Sequence, residues 1–541
     1  MITSSFPWLT GLVVLPLIGA GVVWALPGGL RRWARHVAVA FALLAVGLAV
    51  LALLAFDTGD AGTVQLTEQV SWIPAFGVSY ALGVNGVGLL LVVLSVLLVP
   101  LVLLAAWREH PEAPDDADAV PDDAAVPAAP TAGVVAGRRI QSYVALILVL
   151  EAMMIAVFAA RDVFLFYVLF EAMLIPVYFM IGAFGGAQRR YAAVKFLIYS
   201  LAGGLVMLAG VIALYAQGPG GPDGFLIDTL VGADMGTWVE RAIFGSFFLA
   251  FAIKAPMWPV HTWLPDAAEQ APAGTNVLLV GVLDKVGTFG MLTLCLPLFP
   301  EASRWAAPVI IVLAVISILY GAFLAIGQEN LMRLIAYTSV SHFGFIVLGI
   351  FAFTSVSIEG ASVYMLTHGL STGGLFLLAG LLVARWGTAR IGDYGGLQRS
   401  VPVLAGTFLV VGLSALSLPG LAPFVAELLV FVGTFSANPA AAIVATLGVV
   451  LAALYILLTY QRVFTGPPSP SLDPRPDLSA RERWVIGPLI AAIVVLGLYP
   501  APALDLVREP AVQTVADLGI DDLSLPVEGG PDGPSDEGSE K

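Results

Sequence analysis

Apolar runs of roughly bilayer-spanning length recur down the chain, separated by shorter stretches rich in Arg, Gly, Pro and Asp. About 20 apolar residues of helix cross a hydrocarbon core. The pattern therefore predicts fourteen transmembrane helices, near 6–27, 36–56, 80–106, 138–159, 161–184, 191–216, 240–262, 274–297, 304–326, 331–353, 359–386, 402–436, 440–465 and 483–501. The first run has no positively charged stretch before it, so it reads as a retained helix rather than a cleaved signal.

Arginine placement orients these helices. In the fourteen-span reading Arg31, Arg32, Arg35, Arg138, Arg139, Arg189, Arg190, Arg333, Arg462 and most other arginines share one side, and only Arg161, Arg241, Arg304 and Arg508 fall on the other. By the positive-inside rule the first group is cytoplasmic and both termini lie outside. A missed helix would scramble the two groups.

Composition agrees with the pattern. Of 541 residues 59% are hydrophobic and 11% charged, and mean hydropathy is +0.93, far from a soluble globular chain. Cys295 is the single cysteine, which excludes an internal disulfide and cysteine-ligated iron–sulfur or CxxC metal sites. No phosphate-binding glycine loop is present. No metal site and no nucleic-acid partner are expected. The net charge of −14 lies largely in loops and in the tail PDGPSDEGSEK, which reads as solvated and disordered.

The expected organisation is an N-terminal unit of three helices (1–106), a disordered acidic cytoplasmic loop (107–137), helices four to eight (138–297), helices nine to thirteen (304–465), a loop with the fourteenth helix (466–501) and an acidic tail (502–541). The 109–137 loop and the external loop 217–239, the longest after 57–79, carry no chemical motif.

Ionisable residues inside the spans carry the chemistry. Each costs roughly 2.5–3.5 kcal/mol near the bilayer centre unless paired or hydrated. They are Glu151, Glu171, Lys254, Asp284, Lys285, His342, His368 and Glu427. Lysine choice adds a clue. Of 24 basic residues only Lys195, Lys254, Lys285 and Lys541 are lysine. Arginine keeps its proton in proteins, whereas a buried lysine can release one, and a proton relay needs groups that switch.

Backbone breakers point to the same places. Lys254 is followed by Pro256 and Pro259; Glu427 follows Pro419, Gly420 and Pro423 in LSLPGLAPFVAE. Proline removes a helix hydrogen bond, so the seventh and twelfth helices should be broken at mid-membrane. Interrupted helices beside ionisable residues in two halves are a signature of transporters built from repeats. Helices seven and twelve are five apart and so run in opposite directions, as an inverted repeat of helices 4–8 and 9–13 requires.

FLFYVLFEAMLIPVYFMIGAFG (164–185), KAPMWPVHTWLPDAAEQAPAG (254–274), LDKVG around Lys285, RLIAYTSVSHFGF (333–345), HGLSTGGLF (368–376) and LPGLAPFVAE (418–427) together resemble the antiporter-like membrane subunits of respiratory complex I, NADH:quinone oxidoreductase, most nearly the M-type branch. The likeness covers roughly 80–465. The chain ends soon after the fourteenth span, without the long lateral helix expected of the L-type. The resemblance implies an all-α polytopic membrane protein with two inverted five-helix repeats that translocates protons within a larger enzyme. It implies that Glu171 is the glutamate partnered with the broken-helix Lys254, that Lys285 is the central lysine, that His342 and His368 are relay histidines and that Glu427 is the terminal acid. Glu151 matches a less critical family glutamate. FMN, iron–sulfur clusters and quinone are expected in other subunits. The expected partners are the other membrane subunits, the L-like and N-like chains in particular, with membrane lipids and protons. Met332 stands where many relatives carry a basic residue, Asp284 where an apolar residue is common, and 109–137 reads as an insertion.

Each assignment has a plainer alternative. Glu171 and Lys254 can be a pair that only holds helices together, the histidines helix-to-helix hydrogen bonders, and Glu151 a structural residue. Asp284 either tunes Lys285 or faces another helix. Lys195 reads as a snorkelling side chain, His261 as a cap on the broken helix, and Asp266 as a cap or loop organiser. Two rival functions are a subunit of a Mrp-type cation/proton antiporter and a scaffold that tethers a distal pump.

Overall fold

The computed structural model describes residues 6–107, 131–469 and 472–522, with side chains from residue 139 onward in the second stretch. The expected disorder of the 109–130 loop and of the tail beyond 522 lies outside the described residues. The elements in order are α1 (Trp8–Ala25), α2 (Ala34–Ala55), β1 (Gln65–Ile73), β2 (Val78–Val84), α3 (Gly86–Ala105), α4 (Thr131–Ala159), α5 (Val163–Ala172), α6 (Leu174–Phe184), α7 (Arg189–Gln217), the short α8 (Ile227–Leu230), α9 (Thr237–Lys254) and α10 (Trp263–Gln270). There follow α11 (Ala273–Leu278), α12 (Lys285–Gly290), α13 (Leu296–Leu298), α14 (Pro300–Ile326), α15 (Leu331–Phe351), α16 (Ser355–Trp386), α17 (Pro402–Ala415), α18 (Ala422–Ala437), α19 (Pro439–Phe464), α20 (Ala480–Leu498) and α21 (Ala501–Asp517).

Among the described residues eleven helices are long and apolar enough to cross a membrane, or twelve if the bent pair α20–α21 is one span. Ala273–Leu298, which joins α11 to α13, together with α15 and α16, is buried almost throughout. α1, α2, α7, α14 and α19 instead expose leucine, isoleucine and valine outward, including Leu54, Ile198, Val309 and Val450. Asp284, Lys285, His342 and His368 thus sit on helices that the rest of the bundle encloses.

Both expected breaks are present. α9 stops at Lys254 and helix resumes at Trp263; α17 stops at Ala415 and α18 begins at Ala422. A third, unforeseen interruption falls at Met173, between α5 and α6. Pro176 lies three residues on, where its ring removes an amide from the helix ladder.

Three segments depart from the hydropathy reading. Residues 65–84 form an antiparallel hairpin, with Val70 opposite Tyr80, where a loop and the start of a helix were expected. The Glu68 carboxylate accepts hydrogen bonds from the amides of Leu9 (2.8 Å) and Thr10 (3.1 Å), giving the first turn of α1 an acidic partner where its amides are unpaired. α4 begins at Thr131, inside the stretch read as loop. The stretch read as tail from 502 opens with α21, which turns by 64° from α20 and buries Ala503, Leu506, Val507, Pro510, Ala511 and Val515.

Candidate functional site

The span from Ala273 to Leu298 carries two π turns, Leu279–Leu283 and Met291–Cys295, on either side of Lys285. A π turn widens the helix and weakens the regular carbonyl pairing. Lys285 Nζ uses this, donating to the Val280 carbonyl at 2.6 Å. It also donates to Nδ1 of His368 on α16 at 2.7 Å and lies 5.1 Å from the Phe343 ring centre. Lys285 is fully buried, so these contacts replace the water that an ammonium would otherwise hold.

The network continues across α15. The rings of His368 and His342 are 5.4 Å apart between centres. His342 Nδ1 is 2.7 Å from the Tyr364 hydroxyl, and Tyr364 donates to Glu427 Oε2 at 3.0 Å. Ser417 Oγ donates to the same carboxylate oxygen. Ser417 lies in the break between α17 and α18 with a φ of 59°, a left-handed conformation uncommon for a residue with a side chain. The break therefore turns its hydroxyl inward. On the far side of His342, Nε2 faces the Tyr455 hydroxyl at 3.4 Å.

The other half has fewer hydrogen bonds. Glu171 lies beside the break at Met173, and its Oε1 is buried without a hydrogen-bond partner. Lys254 Nζ is likewise without one and rests 4.6 Å from the Phe170 ring centre. The two interact electrostatically but make no direct ion pair in this conformation. Asp284 is fully buried with both carboxylate oxygens unpartnered, within electrostatic reach of Lys285 and Lys254. Glu151 is buried on α4 with both oxygens unpartnered, and no hydrogen bond joins it to the Lys285 network.

Two smaller expectations are corrected. Lys195 does not snorkel: its Nζ pairs with Asp266 Oδ2 at 2.6 Å, while Arg333 takes Asp266 Oδ1 at 2.6 Å and Glu269 at 2.9 Å. This ion cluster ties α7, α10 and α15 together at one end of the bundle. Burial alone would raise the Asp266 carboxyl, but hydrogen bonds and charge from Lys195 and Arg333 outweigh it and hold that group below its ordinary value. His261 does not cap the broken helix. Both its ring nitrogens lack partners, and it packs edge-on against Tyr320 at 5.2 Å.

The structure therefore brings Lys285, His368, His342 and Glu427 into one buried line, and leaves Glu171, Lys254, Asp284 and Glu151 outside its hydrogen bonds. Tyr364, Ser417 and Tyr455 were not anticipated. Tyr364 had a signal, since it lies one helical turn before His368 and so shares its face.

Residues 160–454 match the family described as "NADH:quinone oxidoreductase/Mrp antiporter, TM". The chain belongs to this family. It is 47% identical to the NADH-quinone oxidoreductase subunit M of Mycobacterium tuberculosis strain H37Rv, over 96% of each chain. It is 37% identical to subunit M of Rhodobacter capsulatus, over 94% of this chain and 98% of that one. Among solved structures it is similar to a chain of respiratory complex I from Thermus thermophilus with bound NADH, with a TM-score of 0.82 and 31% identity over 94% of this chain and 100% of that one. A chain of the Mrp complex from Dietzia sp. DQ12-45-1b shares the fold at a TM-score of 0.80 and 22% identity, over 94% of this chain and 98% of that one. The family membership and the helices together make this a multi-pass membrane protein related to subunits of an oxidoreductase complex.

Proposed function

We propose that the chain is the M-type proton-translocating subunit of an NADH:quinone oxidoreductase in the bacterial inner membrane. In this reading it crosses fourteen times with both termini outside: α9 with the turn after it, α17 with α18, and α20 complete the set. Helices 4–8 and 9–13 then form two inverted repeats, each with one broken helix. Its neighbours are the L-like and N-like membrane subunits. FMN, iron–sulfur clusters and quinone belong to other chains, so this chain carries no redox centre.

Protons enter from the cytoplasm, load Glu171 with Lys254, pass to Lys285, His368 and His342, and leave outward from Glu427. Attraction to Glu171 favours a protonated Lys254, and separating the two lets the lysine give its proton inward. Each proton moved against the field costs about 2.3 kcal/mol per 100 mV, so redox chemistry in partner subunits must drive it.

The observation that carries this reading is the buried contact of 2.7 Å between Lys285 and His368, two groups on separate helices that both gain and lose protons. The test uses inverted membrane vesicles with Lys254→Met or Glu427→Gln, comparing NADH-driven acidification and NADH:quinone turnover once assembly of the complex is confirmed. Both should fall together. Wild-type levels of both would replace this reading with that of a scaffold.

A further inference from the structure

We propose that the Tyr364 hydroxyl is an obligatory proton carrier between His342 and Glu427, which makes the outward end of the relay a directed three-group wire. The inference rests on the proposed translocation and adds a residue without formal charge to it.

Hydrogen-bond polarity carries the argument. A phenol has one hydrogen to donate. Tyr364 gives it to Glu427 Oε2, so at the 2.7 Å contact the donor is His342 Nδ1 and the acceptor is the Tyr364 oxygen. With Nδ1 protonated, the neutral ring offers Nε2 as an acceptor, and that nitrogen faces the Tyr455 hydroxyl at 3.4 Å. The tautomer assigned from these contacts presents a receiving nitrogen on one side of His342 and a donating nitrogen on the Glu427 side. His342 and Glu427 share no hydrogen bond. Tyr364 is the group that touches both, and it is buried almost completely.

The step balances without a co-reactant. When His342 takes a proton at Nε2, its Nδ1–H bond breaks as a new O–H bond forms on Tyr364. The original Tyr364 O–H bond breaks as the hydrogen joins Glu427 Oε2. His342 is left neutral with its proton on Nε2, Tyr364 remains a neutral phenol, and the glutamate is protonated. Reset requires Glu427 to lose its proton outward, the Tyr364 hydroxyl to rotate back, and His342 to recover the Nδ1–H form.

Tyr364→Phe keeps the ring and removes the carrier oxygen. In inverted vesicles with normally assembled complex, NADH-driven acidification should fall by about tenfold or more, the scale of a lost proton-transfer group, with coupled quinone turnover falling alongside. Glu427→Gln is measured in parallel. Loss in both variants supports the inference. Loss in Glu427→Gln with wild-type acidification in Tyr364→Phe overturns the inference and leaves the translocation reading standing. Wild-type acidification in both overturns that reading too, and loss only in Tyr364→Phe overturns delivery to Glu427. A second variant covers failed assembly: 3-fluorotyrosine placed at 364 keeps shape and hydroxyl but has a more acidic phenol. A carrier shifts the pH profile of acidification toward lower pH, whereas a residue that only packs leaves the profile unchanged, which would overturn the proposal.

Discussion

Glu171 and Gly204 lie so close that the glutamate carboxylate fills the volume any side chain at 204 would need. α7 is thus shaped to receive a charge from α5. Gly204→Ala forces either the carboxylate or the helix to move, an overpacking cost of roughly 1–3 kcal/mol. We expect lower thermal stability of the purified complex and a several-fold loss of NADH-driven acidification. Unchanged acidification would mean that the position of Glu171 does not matter to transport.

Lys285→Arg keeps the positive charge and a donor toward His368, but a guanidinium does not give up its proton. Acidification should fall by about tenfold or more while the complex still assembles. Normal pumping by this variant would show that Lys285 supplies charge alone.

Asp284 is a buried acid that interacts electrostatically with both Lys285 and Lys254. Asp284→Asn preserves size and removes the ionisable proton, and in a low-dielectric interior the loss of any change of charge at 284 is felt by Lys254 and Lys285 together. The expected result is a several-fold slower acidification in assembled vesicles. A wild-type rate would assign Asp284 to packing.

The ion cluster around Asp266 gives a pH prediction. Its carboxyl lies below its ordinary value in the folded chain, so its stabilising contribution is complete above the unfolded value of about 3.9 and is lost as pH falls through the lower folded value. Asp266→Asn removes the negative charge that Lys195 and Arg333 share and replaces one acceptor oxygen with an amide donor, a loss of about 1–3 kcal/mol near neutral pH. Thermal unfolding of the detergent-solubilised chain should show that gap at about pH 7 and a narrowing gap as pH drops below about 3.9. A gap that is constant with pH would rule out the ion pairs as its source.

Long apolar helices and charges inside them were legible because both break strong composition rules: Lys254, Lys285 and Glu427 stand out in any hydrophobic window. The hairpin 65–84 was not, because its polar alternation resembles a loop when the helix it caps is unknown. α21 escaped for a related reason. Its buried positions, Leu506, Val507, Pro510 and Ala511, recur at helical spacing, but polar neighbours dilute the average on which a span search depends. Tyr364 and Ser417 carry no charge, so only the fold reveals that they touch Glu427. Lys195 was misjudged because its partner, Asp266, is far along the chain and looked like a cap.

The two π turns that bracket Lys285 set the phase of its helix. Successive residues are offset by about 100° around an α-helix, and each π turn absorbs an extra residue before regular winding resumes. Winding Leu279–Leu283 as regular α-helix with the same number of residues would rotate the following segment by nearly a third of a revolution and swing Lys285 away from His368. Deleting one residue as that turn straightens would shorten the span but restore the bearing of the lysine. Two chains of equal span length can therefore differ in whether this contact forms at all.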